Sequence, residues 1–132
     1  MKKGYKDNIE KLTKENTDFR RVLYTGEKSQ LVLMSLLPGE EIGMEVHPEN
    51  DQFFRFEDGE GEVIIGETTY QVSDGDAVIV PKGERHNVVN TGKTALKLYT
   101  IYSPAHHKDG IIRATREEAI SLEEEFDGQT SE

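Results

Sequence analysis

The chain has 132 residues, no cysteine and a formal charge of −10 at pH 7, a length that suits one domain with a real core. Without cysteine there are no disulfides, thiolate metal ligands or thiol nucleophiles, and the negative field argues against phosphate backbones and anionic membranes, so neither nucleic acid nor membrane is an expected partner. The first residues, Met1-Lys-Lys-Gly-Tyr-Lys-Asp, are charged and no apolar run approaches the roughly 20 residues of a membrane span, a combination that reads as cytoplasmic.

In chain order, residues 1–30 are polar except for Ile9, Leu12, Phe19, Val22, Leu23 and Tyr24. They read as an N-terminal arm with no core of its own that packs on the barrel. Residues 31–104 are predicted to be all-β. Short apolar stretches run over Leu31–Leu37, Ile42–His47, Gln52–Phe56, Glu62–Ile65, Thr68–Val72, Ala77–Val80, Arg85–Asn90 and Ala95–Tyr102. They are separated by turn-forming groups such as Pro38-Gly39, Asp58-Gly59-Glu60-Gly61, Asp74-Gly75 and Pro81-Lys82-Gly83. That many strands close a small barrel or jelly roll. Residues 105–132 form a C-terminal extension. Within it Thr115 and Glu118 make a capping box that starts a helix over about 115–126, Gly128 ends it, and the acids Glu117, Glu118, Glu123, Glu124, Glu125 and Asp127 read as a solvated face and tail.

Strand alternation gathers the chemistry. Glu45 and His47 stand two residues apart, so in an extended segment both leave one face. Gln52 shares a face with Phe54 and Phe56 on the next strand, and a hairpin turned inward places it beside that pair. His86 opens a later strand. Phe54 and Phe56 are expected in the core, with Phe53 and Arg55 outward as a subunit contact. Tyr99 and Ile101 share one parity and Leu98, Thr100 and Tyr102 the other, and alternation alone leaves open which set faces the cavity. Asp51 is read as an exposed turn residue, with orientation of the Gln52 amide as the alternative. His106 and His107, just past the last strand, sit where a surface turn or a cavity-facing general acid or base is expected.

Gly75, Pro81, Gly83, His86 and Asn90 meet every fixed position of G-x5-P-x-G-x2-H-x3-N, and in this the segment resembles the second motif of the cupin family. Gly39, Glu45, His47, Gln52 and Gly59 keep the spacing of the first motif, G-x5-H-x-H-x3,4-E-x6-G, with Glu45 in place of a histidine and Gln52 in place of the glutamate. The resemblance implies a cupin double-stranded β-helix, a jelly-roll barrel of the small, mannose-6-phosphate isomerase-like type. It also implies a divalent metal ion (Fe, Mn, Ni or Zn) held by Glu45, His47, Gln52 and His86. One negative ligand is kept, moved to the other end of the motif, and two imidazoles with one carboxylate suit open-sided metal sites. The implied function is metal-dependent isomerisation or epimerisation of a sugar, sugar phosphate or keto acid. Non-haem iron dioxygenation and non-catalytic binding of a small ligand are the alternatives. Arg20, Arg21, Lys82 and Arg85 are the cations available for a substrate phosphate, with Lys82 and Arg85 flanking the His86 turn. Single-domain members commonly pair, and the arm offers a strand to a partner's sheet, so a homodimer through residues 1–30 is expected.

Overall fold

Helix α1 (Ile9–Glu15) and strand β1 (Arg20–Thr25) open the computed structural model, which describes all 132 residues. Then follow β2 (Gln30–Leu36), β3 (Asp51–Asp58), β4 (Glu60–Ile65), β5 (Thr68–Ser73), β6 (Ala77–Val80), β7 (His86–Asn90), β8 (Leu96–Ser103), β9 (Ile112–Arg113) and α2 (Arg116–Ser121). The strands make two antiparallel sheets, one of six strands in the order β6-β3-β8-β2-β1-β9 and one of three in the order β5-β4-β7. This is the all-β jelly roll with a short C-terminal helix that the sequence implied. No helix is long and apolar enough to cross a membrane.

Alternation decides what faces inward. Along β8 every second residue is buried, which resolves the parity left open above: Leu98, Thr100 and Tyr102 point in. Register then sets rows across β2, β8 and β3. One row is Gln30, Tyr102 and Gln52; the next is Val32, Thr100 and Phe54; the third is Met34, Leu98 and Phe56. Phe54 and Phe56 have no exposed surface, as expected, and Val63, Val72 and Val88 of the smaller sheet close over them. Each such side chain contributes roughly 1.5–3 kcal/mol by leaving water. Phe53 faces out and pairs with Tyr99, ring centroids 6.2 Å apart. At the motif position Gly59, φ is +90° and an added Cβ would stand 2.7 Å from the Ala95 carbonyl, so only glycine lets β3 turn into β4 there.

Three expectations are corrected. The strand predicted over 42–47 is not continuous: residues 41 and 45 make isolated bridges to Val89 and His86. Gly43, at φ +107°, kinks the segment between them, and its N–H donates to Asn87 Oδ1 at 2.8 Å instead of to a strand. Residues 1–30 pack on the barrel as expected, but their strand joins the chain's own sheet. Asn8 caps α1, accepting from the Lys11 N–H; α1 lies on β2, β3 and β8; β1 pairs with β2 and β9 in its own sheet; and Phe19 and Val22 join the core.

The predicted C-terminal helix is shorter than 115–126. Thr115 does cap it, accepting from the Glu118 N–H at 3.1 Å, but it stops at Ser121. There the Arg113 guanidinium donates to the Leu122 carbonyl at 3.1 and 3.2 Å, covering the orphaned helix end. Beyond it the chain is held back on the barrel, with the Phe126 N–H donating to the His106 carbonyl at 3.0 Å. The acidic tail is therefore not uniformly solvated.

Candidate metal centre

The two motifs meet through backbone. The segment from 41 to 47 runs beside β7, with Glu45 and His86 exchanging N–H···O bonds at 2.8 and 2.9 Å, and the Gly83 N–H donates to the His47 carbonyl at 2.9 Å. Asn90, the last position of the second motif, gives its amide hydrogens to the carbonyls of Leu36 and Thr94, each at 2.9 Å, and so fixes the end of β7.

Glu45, His47 and His86 bring one ligand atom each to within 4.8 Å of one another, and Gln52 completes the group with its Oε1 3.1 Å from His86 Nε2. All four residues expected to hold the ion are thus in one place, at the polar end of the barrel interior. Their hydrogen bonding shows what they fit. His86 Nδ1 lies 3.0 Å from the Glu84 carbonyl, and donation there leaves Nε2 as a lone pair. Burial, with His47 adding to it against the Glu84 carbonyl, lowers the His86 pKa and keeps that ring neutral. Gln52 spends its Nε2 on Thr100 Oγ1 at 3.0 Å, so Oε1, another acceptor, faces the imidazole lone pair. His47 Nε2 is buried and unbonded; Glu45 Oε2 is 3.0 Å away but out of line for a hydrogen bond. Burial would raise the Glu45 carboxyl, yet His47, Arg20 and His86 together hold it below its ordinary value, as a carboxylate. The Glu45 carboxylate, the Gln52 oxygen and the His86 lone pair converge with the His47 ring beside them, and imidazole, carboxylate and amide oxygen together fit a divalent cation.

Beside the centre opens a cleft of about 630 Å³, lined among others by Arg20, Glu45, His106, His107, Arg116 and Glu124. The His106 ring packs against His47 with centroids 4.3 Å apart and stacks on Tyr102 at 5.3 Å. Burial, with His107 and His47 packed close by, pushes its pKa down to about 4. His107 is more deeply placed. Its Nδ1 stands 2.9 Å from Glu124 Oε1 and its Nε2 3.2 Å from the Tyr102 hydroxyl, so the hydroxyl donates to an imidazole whose other nitrogen donates to the carboxylate. The Gln30 side chain fixes this turn, its oxygen accepting from the N–H groups of His106 and His107 and its nitrogen donating to the His107 carbonyl.

Of the cations proposed for a phosphate, Arg20 reaches the cleft. Arg21 points to the other face of β1 and pairs with Asp18 at 3.8 Å, and Lys82 and Arg85 are exposed and do not line it. Asp51 is exposed and accepts from the Lys82 N–H at 2.9 Å; the Gln52 amide is oriented by Thr100 instead. Sequence reading missed Gln30, Thr100 and Glu124. Parity with Leu98 and Tyr102 was a signal for Thr100, whereas nothing local separates Glu124 from its acidic neighbours.

A cupin-domain family profile matches residues 32–102, more than half of the chain and the same span that carries both motifs. The chain belongs to the cupin family. A crystal structure of BH2720 from Bacillus halodurans superposes with a TM-score of 0.89 at 43% identity, over 91% of this chain and 96% of that one. The YrkC protein of Bacillus subtilis is 46% identical over 123 residues, 89% of this cupin and 66% of YrkC. Protein L612 of Acanthamoeba polyphaga mimivirus is 42% identical over 116 residues, 85% of this cupin and 72% of L612. This cupin therefore spans about two thirds of the length of the two relatives compared by sequence.

Proposed function

We propose that this cupin is a metal-dependent enzyme that isomerises or epimerises a small polar metabolite such as a sugar, sugar phosphate or keto acid. The observation that carries the reading is the set of ligand-capable groups, Glu45, His47, Gln52 and His86, converging at a cleft that also holds the neutral imidazole of His106. A bound Fe, Mn, Ni or Zn ion would supply Lewis-acid polarisation of a substrate carbonyl. The protein's own residues do the rest. Glu45 stays ionised and His86 keeps its Nε2 lone pair, so both are ready to take a cation at neutral pH. His106 takes a proton from the carbon beside the carbonyl and, in an isomerisation, returns it on the same face to the neighbouring carbon; in an epimerisation it keeps that proton while water delivers another to the opposite face. No net oxidation results. The Tyr102–His107–Glu124 chain holds the ring on which His106 stacks.

The test begins with elemental analysis of untagged protein purified without chelators, beside His47→Ala and His86→Ala. Near-stoichiometric metal in the native chain and its loss in both variants is the expected result. The loaded protein is then given sugars, sugar phosphates and 2-keto acids in deuterated water, and deuterium should appear at the carbon next to the carbonyl. Oxygen uptake by iron-loaded protein without such exchange would replace this reading with dioxygenation. A metal-free native chain whose melting temperature ignores added ions would make it a non-catalytic binding barrel.

A homodimer through residues 1–30 belongs to the same proposal. With Arg20–Thr25 committed to the chain's own sheet, that contact would fall to residues before Arg20. Light scattering should return twice the chain mass, and a monomer mass across the concentration range ends the dimer proposal.

A further inference from the structure

Arg20 is a charge at an inward position. It alternates with Val22 along β1, is only 9% exposed, and lies over the Phe19 ring with its guanidinium carbon 5.6 Å from the centroid. Its Nε is buried without a hydrogen-bond partner, and it joins none of the ion pairs of the structure, although Glu45 and Glu124 line the same cleft. Those two carboxylates are otherwise engaged, Glu45 at the metal centre and Glu124 by His107 and Arg113 at 2.9 and 3.2 Å. Arg20 feels Glu45 and Glu124 only through space; a buried guanidinium with no hydrogen-bonded anion is costly, and the cost is offset when a ligand brings one.

The cleft also says which anion. Arg116 also lines the cleft, but its Nε is spent on the Glu41 carbonyl, so it offers no second free Nε–H and Nη–H pair beside Arg20. Exposed Glu123 and Glu125 stand on the same rim and oppose a dianion more than a monoanion. A carboxylate carries one charge and two coplanar oxygens, matching the Nε–H and Nη–H of a single guanidinium.

The geometry points to Arg20 as a substrate-binding residue that takes a carboxylate group, so that the metabolite turned over in this cleft is a small carboxylic acid. This rests on the proposed function for the identity of the cleft as the substrate site, and narrows sugars, sugar phosphates and keto acids to the acids.

Calorimetric titration of the full chain with pyruvate and with inorganic phosphate, at fixed ionic strength, tests it on native protein, Arg20→Met, Arg20→Lys and Arg21→Met. Melting temperature without ligand and metal content are read on the same samples, before and after chelation. Pyruvate should bind the native chain and Arg21→Met equally and phosphate should bind more weakly. Loss of the paired fork should weaken pyruvate by about tenfold or more in Arg20→Met, with Arg20→Lys between. Arg20→Met should melt no lower than native without ligand, because it removes an uncompensated charge. Equal pyruvate affinity in native and Arg20→Met overturns the inference, as does a native chain that binds no pyruvate. Phosphate binding above pyruvate overturns the restriction to acids. A low melting temperature in Arg20→Met, restored in Arg20→Lys, would make Arg20 a structural counter-charge and also overturn it. Metal content separates the two readings: a metal-free chain that binds pyruvate through Arg20 removes the enzyme and keeps the carboxylate site, and a metal-replete chain indifferent to pyruvate does the reverse.

Discussion

The two ends of the barrel interior are built by the same strands and differ in chemistry alone. At one end Met34, Leu98 and Phe56, with Leu36 and Leu96 beyond them, pack without exposed surface. At the other, Gln30, Tyr102 and Gln52 stand in line under the imidazoles of His47, His86 and His107. Both obey the same two-residue alternation, so backbone geometry does not distinguish them. The apolar end stabilises the fold by removing hydrocarbon from water. The polar end opposes folding, because it buries imidazoles, an amide and a carboxylate and leaves His47 Nε2 unpaired. The cost is one that a bound cation would offset, and Glu45, His47 and His86 lie close enough together to hold one.

Cutting the apolar end should leave the other chemically intact. Phe56→Ala removes a ring with no exposed surface, stacked against Phe54 with centroids 6.3 Å apart. Chemical denaturation should show a loss of about 3–5 kcal/mol, with metal content unchanged. If metal leaves together with the ring, the two ends are one cooperative unit and the division proposed above fails.

Acid should strike the polar end first. In the native protein burial lowers the pKa of His86 and of His107, and holds His106, with His107 and His47 nearby, at about 4, against an ordinary value of 6.5. Between those values the unfolded chain binds more protons than the native one, so stability rises with pH across that window and is lost as pH falls through it. Glu45 and Glu124, both held below the ordinary carboxyl value of 4.5, add their own loss only beneath that point. Melting temperatures of chelator-treated protein should therefore fall steadily from pH 6.5 downward. Phe56→Ala should show the same slope from a lower start, and a profile flat to pH 4.5 would mean that the imidazoles are not held neutral by burial.

How much of this was legible in the sequence follows the same division. Glycine and proline punctuation gave the strands and period-two alternation put Glu45 and His47 on one face, because both are local properties, whereas Gln52 and His86 joined them through the resemblance to the cupin motifs. What escaped was non-local. Gly43 was read as interior to a strand, although its positive φ breaks one. Thr115 announced the start of α2, but its end is set by Arg113 reaching Leu122 and by Glu124 turning to His107, contacts between elements that no window of sequence contains. Arg20 carried a signal, a charge at the parity of Val22, which becomes informative only once β1 is known to lie in the chain's own sheet.

The smallest expected effect tests the claim that the polar end acts against stability. Gln52 and Thr100 form one hydrogen-bonded pair, Nε2 to Oγ1 at 3.0 Å, both buried. Removing either alone would strand the other and confuse the result. The double variant Gln52→Met, Thr100→Val replaces both with apolar groups of nearly the same shape, and it also abolishes the apposition of Gln52 Oε1 to the His86 lone pair at 3.1 Å. Denaturation of the metal-free double variant should show stability equal to native or higher by about 1 kcal/mol, while its metal affinity falls through loss of the amide ligand. A clear loss of stability in the metal-free state would mean that the row of amides and hydroxyl supports the barrel by itself, and the cost assigned to that end would then lie in the imidazoles alone.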